Sequence, residues 1–328
     1  MTVLVTGSAG HLGEALVRCL RARHRPVRGV DIKASPFTDR VGSICDRDFA
    51  ADVMSGIEAV LHAATLHKPH VATHEARAFI DTNVTGTQVL LESALAAGVR
   101  AFVHTSTTGA FGLAVRPAAD APAAWVTEEL ECRPRSIYGV TKLAAENLCE
   151  LSARGRGLPV IVLRTARFFP EEDDDPSVRA RYAIANAQAN ELLFRRVDIE
   201  DAVTAHLLAI EQAAAVGFGR YIIAATTPFA PRDRVMLRHD APTVVLRQFP
   251  ECAELYAARG WTLYPTIDRV YVNELARHAL GWHPTYDFRQ VLDSLRADRD
   301  FRSALALAIG SKGYHAQVFA DGPYPVLP

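Results

Sequence analysis

The sequence predicts an open α/β fold: a doubly wound parallel sheet with a smaller C-terminal part. Three observations predict it. Short, β-branched apolar runs alternate with amphipathic helical segments along the first two-thirds of the chain. The first of these runs opens into a glycine-rich turn and then a helix. A later run ends in a cluster of hydroxyl residues, at the edge where open α/β sheets bind ligands.

Taken in order, VLVTG is a buried parallel strand, and Gly7-Ser8-Ala9-Gly10-His11-Leu12-Gly13 is the turn that follows it. EALVRCLRARH continues as a helix, and PVRGVDIK is a second strand ending at Asp31. Glycines at this spacing let backbone N–H groups approach a pyrophosphate at a helix N-terminus, where the helix dipole favours negative charge. Asp31 is placed to accept both ribose hydroxyls of NAD and to repel a 2′-phosphate. Lys33, two residues on, reads first as a solvated surface lysine, and as a cation near the 2′ position it leaves NADP open as the alternative. AVLHAAT is a strand whose small residues Ala63 and Ala64 would let a cofactor pass close to the backbone. FIDTNVTGTQVLLESALAAG is a helix carrying Asn83, either a functional polar group or an asparagine facing solvent. AFVHTSTT is a further buried strand with its hydroxyls at the carboxyl end.

The chain has 328 residues, 49% of them apolar, enough for one large core or two unequal domains. A net charge of −1 carries no electrostatic footprint for nucleic acid or for an anionic membrane. No apolar run is long enough to span a bilayer, and MTVLVTG is read as neither a signal nor a transit peptide. The cysteines Cys19, Cys45, Cys132, Cys149 and Cys252 have no metal or redox spacing. A cytoplasmic location with reduced, mostly structural thiols is expected. Internal repeats and low-complexity segments are absent.

SIYGVTKLAAENLCELSARG reads as a helix on which Tyr138 and Lys142 share one face, one turn apart. An ammonium beside a phenol lowers the phenol pKa. The phenolate could then take a proton from a substrate hydroxyl while hydride leaves for a nicotinamide.

With TGSAGHLG, VDIK, HAAT, NVTGT, HTSTTGAFG, YGVTK, RRVDIEDAV and the closing LGWHPTYDF, the chain resembles an extended short-chain dehydrogenase/reductase of the NAD-dependent epimerase/dehydratase group. The resemblance implies a Rossmann domain over 1–166 plus about 194–226. It implies a substrate-binding part over about 167–193 plus 227–328. Tyr138 matches the catalytic tyrosine, Lys142 the lysine on the nicotinamide ribose, and Thr107 the catalytic hydroxyl, with Thr108 beside it on the substrate side. Gly7, Gly10, His11, Leu12 and Gly13 match the phosphate loop, Asp31 the adenosine ribose acceptor, and Ala63, Ala64, Asn83 and Ser106 the cofactor side. Ser43 and Ile44 fall near the adenine, with Ser43 where many relatives have aspartate. The implied cofactor is NAD, the implied substrate a sugar or nucleotide sugar, and the implied assembly a twofold homodimer through helices around 75–97 and 137–154.

The stretch RTARFFPEEDDDP departs from the group's pattern. Arg167 stands where a substrate-facing asparagine is usual. It is expected to face the pocket near Tyr138, with Glu171 to Asp175 as an exposed rim; the alternative is an internal partner among those carboxylates. Five adjacent carboxylates lack the alternating spacing of a calcium loop, so no metal is expected. Epimerase and dehydrogenase outcomes both remain open, since the same three residues serve either. The rival from another class is a non-catalytic NAD(P)-binding sensor.

Overall fold

The computed structural model describes residues 1–312. In chain order the elements begin with strand β1 (Val3–Thr6), helix α1 (His11–Ala22), strands β2 (Val27–Asp31) and β3 (Arg40–Val41) and helix α2 (Arg47–Met54). Strand β4 (Ala59–His62), helices α3 (Ala76–Phe79) and α4 (Gly86–Ala96), strands β5 (Ala101–Thr107) and β6 (Ala124–Val126) and helix α5 (Ile137–Arg156) follow. Then come β7 (Val160–Thr165), α6 (Pro176–Arg181), α7 (Ile184–Glu191), α8 (Ile199–Val216), β8 (Phe218–Ile223) and β9 (Arg269–Tyr271). Shorter helices fill most of the remaining C-terminal chain.

Seven strands form one parallel sheet in the order β3-β2-β1-β4-β5-β7-β8. Successive strand residues serve opposite faces, and the two cores show it. Val3, Val5, Leu61, Val103, Ile161 and Leu163 pack with α1 and α8 on one face. Leu4, Val60, Phe102, Val160 and Val162 pack with α2, α4 and α5 on the other. This is why the strands read as continuous apolar runs rather than alternating ones. A separate apolar cluster joins Leu192, Leu193 and Phe194 to Phe229, Leu237, Val244, Tyr256 and Phe288 in the C-terminal region. Strand β6, which lies within the stretch 1–166, pairs not with the large sheet but with β9.

The helix expected over FIDTNVTGTQVLLESALAAG is interrupted by a π-turn at Ile80–Thr85. The wider turn directs the Asn83 side chain inward, where it is 1% exposed rather than facing solvent.

Helix α5 is fastened to the sheet by a buried charge. The Glu146 carboxylate, fully buried, accepts from Arg164 Nη2 at 2.7 Å and from Arg164 Nε at 3.1 Å. It also accepts from the Ser106 hydroxyl at 2.5 Å and pairs with Arg220 Nε at 3.2 Å. Glu146→Ala would leave the Arg164 guanidinium buried and uncompensated. The expected loss is about 3–5 kcal/mol of unfolding free energy, read by urea denaturation. A loss below about 1 kcal/mol would show that the anchor is dispensable.

Candidate active site

The phosphate loop is shaped by two glycines. Gly7 has φ +73°, and a Cβ there would lie 2.7 Å from the Ala64 nitrogen. A Cβ on Gly13 would lie 1.9 Å from the Gly7 carbonyl oxygen, so only glycine lets α1 start this close to the turn. Gly10 caps α1 without a side-chain hydrogen bond. The first-turn N–H groups of His11, Leu12 and Gly13 are therefore left for an anion at the positive end of the helix dipole. Asp31, at the end of β2, accepts from the Ala9 N–H at 3.0 Å and the Lys33 N–H at 2.9 Å. Its carboxylate is thus held beside the loop. Ala63 and Ala64 lie against Gly7, with the Ala64 N–H donating to Thr6 Oγ1 at 3.2 Å. These residues fit NAD: uncapped N–H groups meet the pyrophosphate and a carboxylate meets the ribose.

At the carboxyl end of β5, the Thr107 hydroxyl accepts from the Gly109 N–H at 2.9 Å, and a Cβ on Gly109 would lie 3.1 Å from Thr107 Oγ1 and 3.7 Å from Tyr138 Cε1, so the two side chains sit side by side. Ser136 caps α5, and the helix carries Tyr138, Lys142 and Glu146 at four-residue intervals on one face. Burial pushes the Tyr138 phenol up to about 12, and the nearby Thr107 hydroxyl offsets only part of that rise. The phenol therefore lies above its ordinary range, and Lys142 is not among the groups that shift it. Lys142 is 2% exposed and donates to the Thr105 carbonyl at 2.6 Å. Burial pulls its ammonium down to about 8, against the opposing pull of Cys149 and Glu146.

Several residues expected at the cofactor are otherwise engaged. Asn83 Oδ1 accepts from Thr65 Oγ1 and the Leu66 N–H, both at 2.9 Å. Its Nδ2 donates to the Leu66 carbonyl at 2.9 Å and to Thr141 Oγ1 at 3.0 Å. All four hydrogen-bonding sites of the amide are used, so Asn83 ties the β4 loop to α5 rather than contacting a cofactor. The Ser106 hydroxyl is likewise committed to Glu146. Ile44 is buried against α4, where its Cδ1 would lie 2.7 Å from a Cβ on Gly86. Ser43 is exposed and accepts from the Cys45 N–H at 3.2 Å. Thr108 is buried in the turn after β5. His62 is a packing residue held between Thr6 Oγ1 at 2.8 Å and Thr87 Oγ1 at 3.0 Å.

The acidic run is not a solvated rim, and Arg167 does not need a ligand anion. Its guanidinium lies 3.4 Å from Asp174, 3.7 Å from Asp173 and 4.0 Å from the buried Glu191, and it donates to the carbonyls of Glu171 and Glu172. Asp173 and Glu191 share Arg195 at 2.6 and 2.7 Å, and Glu191 also pairs with Arg196 at 2.7 Å. Burial would raise the Glu191 carboxyl, but the three arginines outweigh it and hold it well below the usual carboxylate range. Glu171 is buried and meets the His11 ring at 3.0 Å, while Asp174 pairs with Lys68. The His11 imidazole therefore points to the acidic run, not to the phosphate site. The sequence reading missed Glu146 and Glu191 and placed Glu171, which is buried against His11, in an exposed rim. Only Glu146 carried a local signal, its place one turn beyond Lys142.

A family model for the NAD dependent epimerase/dehydratase family matches residues 3–224, and the chain belongs to that family. Sterol demethylase protein B of Methylococcus capsulatus is 32% identical over 65% of this chain and 66% of its own length. A UDP-glucose 4-epimerase of Erwinia amylovora is 31% identical over 45% of this chain and 47% of its own length. The chain thus spans between about half and two-thirds of these curated relatives. An Agrobacterium tumefaciens short-chain dehydrogenase/reductase superfamily structure with bound NAD is 26% identical, with a TM-score of 0.63 over 91% of this chain and 98% of that one. Among the described residues no helix is long and apolar enough to cross a membrane.

Two consequences can be measured. Arg167→Ala removes a partner from buried carboxylates, so stability should fall by about 2–3 kcal/mol in denaturant titrations while NAD retention is unchanged. Unaltered stability would return Arg167 to a ligand-binding role. Lys142 has a folded pKa of about 8 against an ordinary 10.5. Below pH 8 it is charged in both states and the fold bears the cost of burying it; above 10.5 that cost is gone. Lys142→Met should therefore be more stable than the parent at pH 7, by on the order of 2 kcal/mol after loss of the Thr105 hydrogen bond. The difference should close as pH rises from 8 to 10.5, and a destabilised variant at pH 7 would refute the sign.

Proposed function

We propose that this chain is an NAD-dependent oxidoreductase acting on a carbohydrate hydroxyl. The leading reading is a sugar or nucleotide-sugar epimerase of the UDP-glucose 4-epimerase type. The observation that carries it is the placement of Thr107, at the carboxyl end of β5, next to Tyr138, with Lys142 one turn along α5. NAD supplies the hydride acceptor when bound. Leu12, Gly13 and Asp31 hold the dinucleotide in this reading. Tyr138 exchanges the proton of the substrate hydroxyl, Thr107 hydrogen-bonds the reacting oxygen, and Lys142 supports the phenolate and the ribose. If the keto intermediate is retained and reduced on its other face, the outcome is epimerisation. If it leaves, the outcome is net dehydrogenation. A non-catalytic sensor would have no use for the phenol and ammonium on one helical face.

The Erwinia relative's name supports a nucleotide sugar, and the Methylococcus relative's name supports including a sterol alcohol in any screen. A twofold dimer through the helices around 75–97 and 137–154 also belongs to this proposal. It is supported by the apolar side chains Ile80, Val140 and Leu151, which those segments expose.

The test is mass spectrometry for retained NAD, followed by a screen of sugars, nucleotide sugars and a sterol alcohol for NADH release and for epimer formation. Tyr138→Phe should lose turnover by about a hundredfold to ten-thousandfold while retaining NAD. Turnover near that of the parent would remove Tyr138 from the mechanism.

A further inference from the structure

The arginines around the acidic run are matched by carboxylates, but a second group is not. Among the described residues the guanidinium groups of Arg116 and Arg135 have no hydrogen-bond or ion-pair partner. Arg269 is 16% exposed, its Nε is buried without a partner, and its Nη1 meets Asp268 at 3.1 Å. The fold brings these three together from distant parts of the chain. Leu113 N–H donates to the Arg133 carbonyl at 2.8 Å and Arg133 N–H to the Phe111 carbonyl at 3.2 Å, so the turn before Arg116 is zipped to the segment entering Arg135. Arg269 pairs with Ala124 in the β6–β9 ribbon, and Tyr271, on the same face of β9, stacks on Phe111 with centroids 6.4 Å apart. Arg135 lies just before the Ser136 cap that begins the helix of Tyr138. Burial first, then the crowding charges of Arg116 and Arg269, pull the Arg135 guanidinium below its ordinary range, against an opposing pull from Asp174.

Such crowding is unfavourable by itself and is relieved by an oxyanion, which a guanidinium fork binds through two parallel N–H bonds. We propose that Arg116, Arg135 and Arg269 form an oxyanion subsite beside Tyr138 that takes a phosphate or carboxylate group of the substrate. The inference rests on the reading of Tyr138 as the residue that meets the substrate, and it narrows the substrate class to acidic sugars and sugar nucleotides. Arg167, engaged with Asp173, Asp174 and Glu191, is not the anion receptor. That role passes to a group with no hydrogen bond or ion pair to the acidic run, which reaches it only through the more distant charge of Asp174.

The test is calorimetric titration of the NAD-loaded full chain with UDP, with glucuronate and with glucose. It needs no turnover, and it is repeated on Tyr138→Phe so that loss of the catalytic reading leaves it interpretable. The double variant Arg116→Gln/Arg135→Gln alters two exposed side chains. It should keep the parent melting temperature and weaken at least one anion by tenfold or more, without affecting glucose. Loss for UDP assigns the subsite to a diphosphate, and loss for glucuronate to a sugar carboxylate. Arg269→Lys, which keeps the charge but removes the fork, should weaken the same ligand. The proposal is overturned if neither anion binds the parent, if the double variant binds both unchanged, or if Lys33→Gln, on an exposed lysine next to the β2 end, weakens them equally.

Discussion

The buried Glu146 carboxylate is the constraint on which the candidate site depends. Two guanidinium groups and a hydroxyl converge on it from three adjacent strands: Ser106 on β5, Arg164 on β7 and Arg220 on β8. Removing a carboxylate from water costs several kcal/mol, and an apolar substitute of the same volume could hold the layers together as well. What an apolar contact lacks is direction. The bidentate fork of Arg164 is satisfied at one rotation and one height of α5. That setting fixes Lys142 one turn before Glu146 and Tyr138 two turns before it. Because Ser106 is bound to Glu146, the strand end that carries Thr107 is tied to this same helical face.

Charge pairing also links the two halves of the site. The run from Glu171 to Asp175 reaches the phosphate loop through Glu171 and His11, the β4 loop through Asp174 and Lys68, and the end of α7 through Asp173 and Arg195. Phe169 reinforces the first two contacts, lying 5.4 Å from both the His11 and His67 rings. A segment of five acidic residues would repel itself in isolation. It is ordered here because arginines from its own strand end and from the chain around Arg195 and Arg196 supply the opposite sign in a poorly solvated environment, where attraction is stronger than in water.

The contrast explains what was legible in the sequence. The glycine turn, Asp31 and the Tyr138–Lys142 spacing are set by local backbone geometry, so their pattern is written in neighbouring residues. The apolar strands follow for the same reason, since burial on both faces imposes continuous hydrophobicity. Asn83, Ser106 and Arg167 were read differently because their partners lie elsewhere in the chain or depend on a loop path that no periodicity encodes. Asn83 is satisfied by residues 65, 66 and 141, Ser106 by residue 146, and Arg167 by residue 191 as well as by the adjacent run. The grouping of Arg116, Arg135 and Arg269 is likewise a product of the β6–β9 ribbon, whose pairing joins chain segments more than a hundred residues apart.

The directions of the two shifts on α5 bear on how the phenol can work. Burial raises Tyr138 and lowers Lys142, so the environment favours the neutral form of each. A phenolate becomes accessible only with a positive charge close by, and the same low dielectric that penalises an isolated ion strengthens that attraction. Lys142, one turn along α5, is not free to wander. An ammonium has three N–H donors, and the Thr105 carbonyl takes one at 2.6 Å. That bond fixes the head group at the end of β5. The carbonyl thus does for Lys142 what Glu146 does for the helix: it accepts the cost of a buried polar group in return for a defined position at the site.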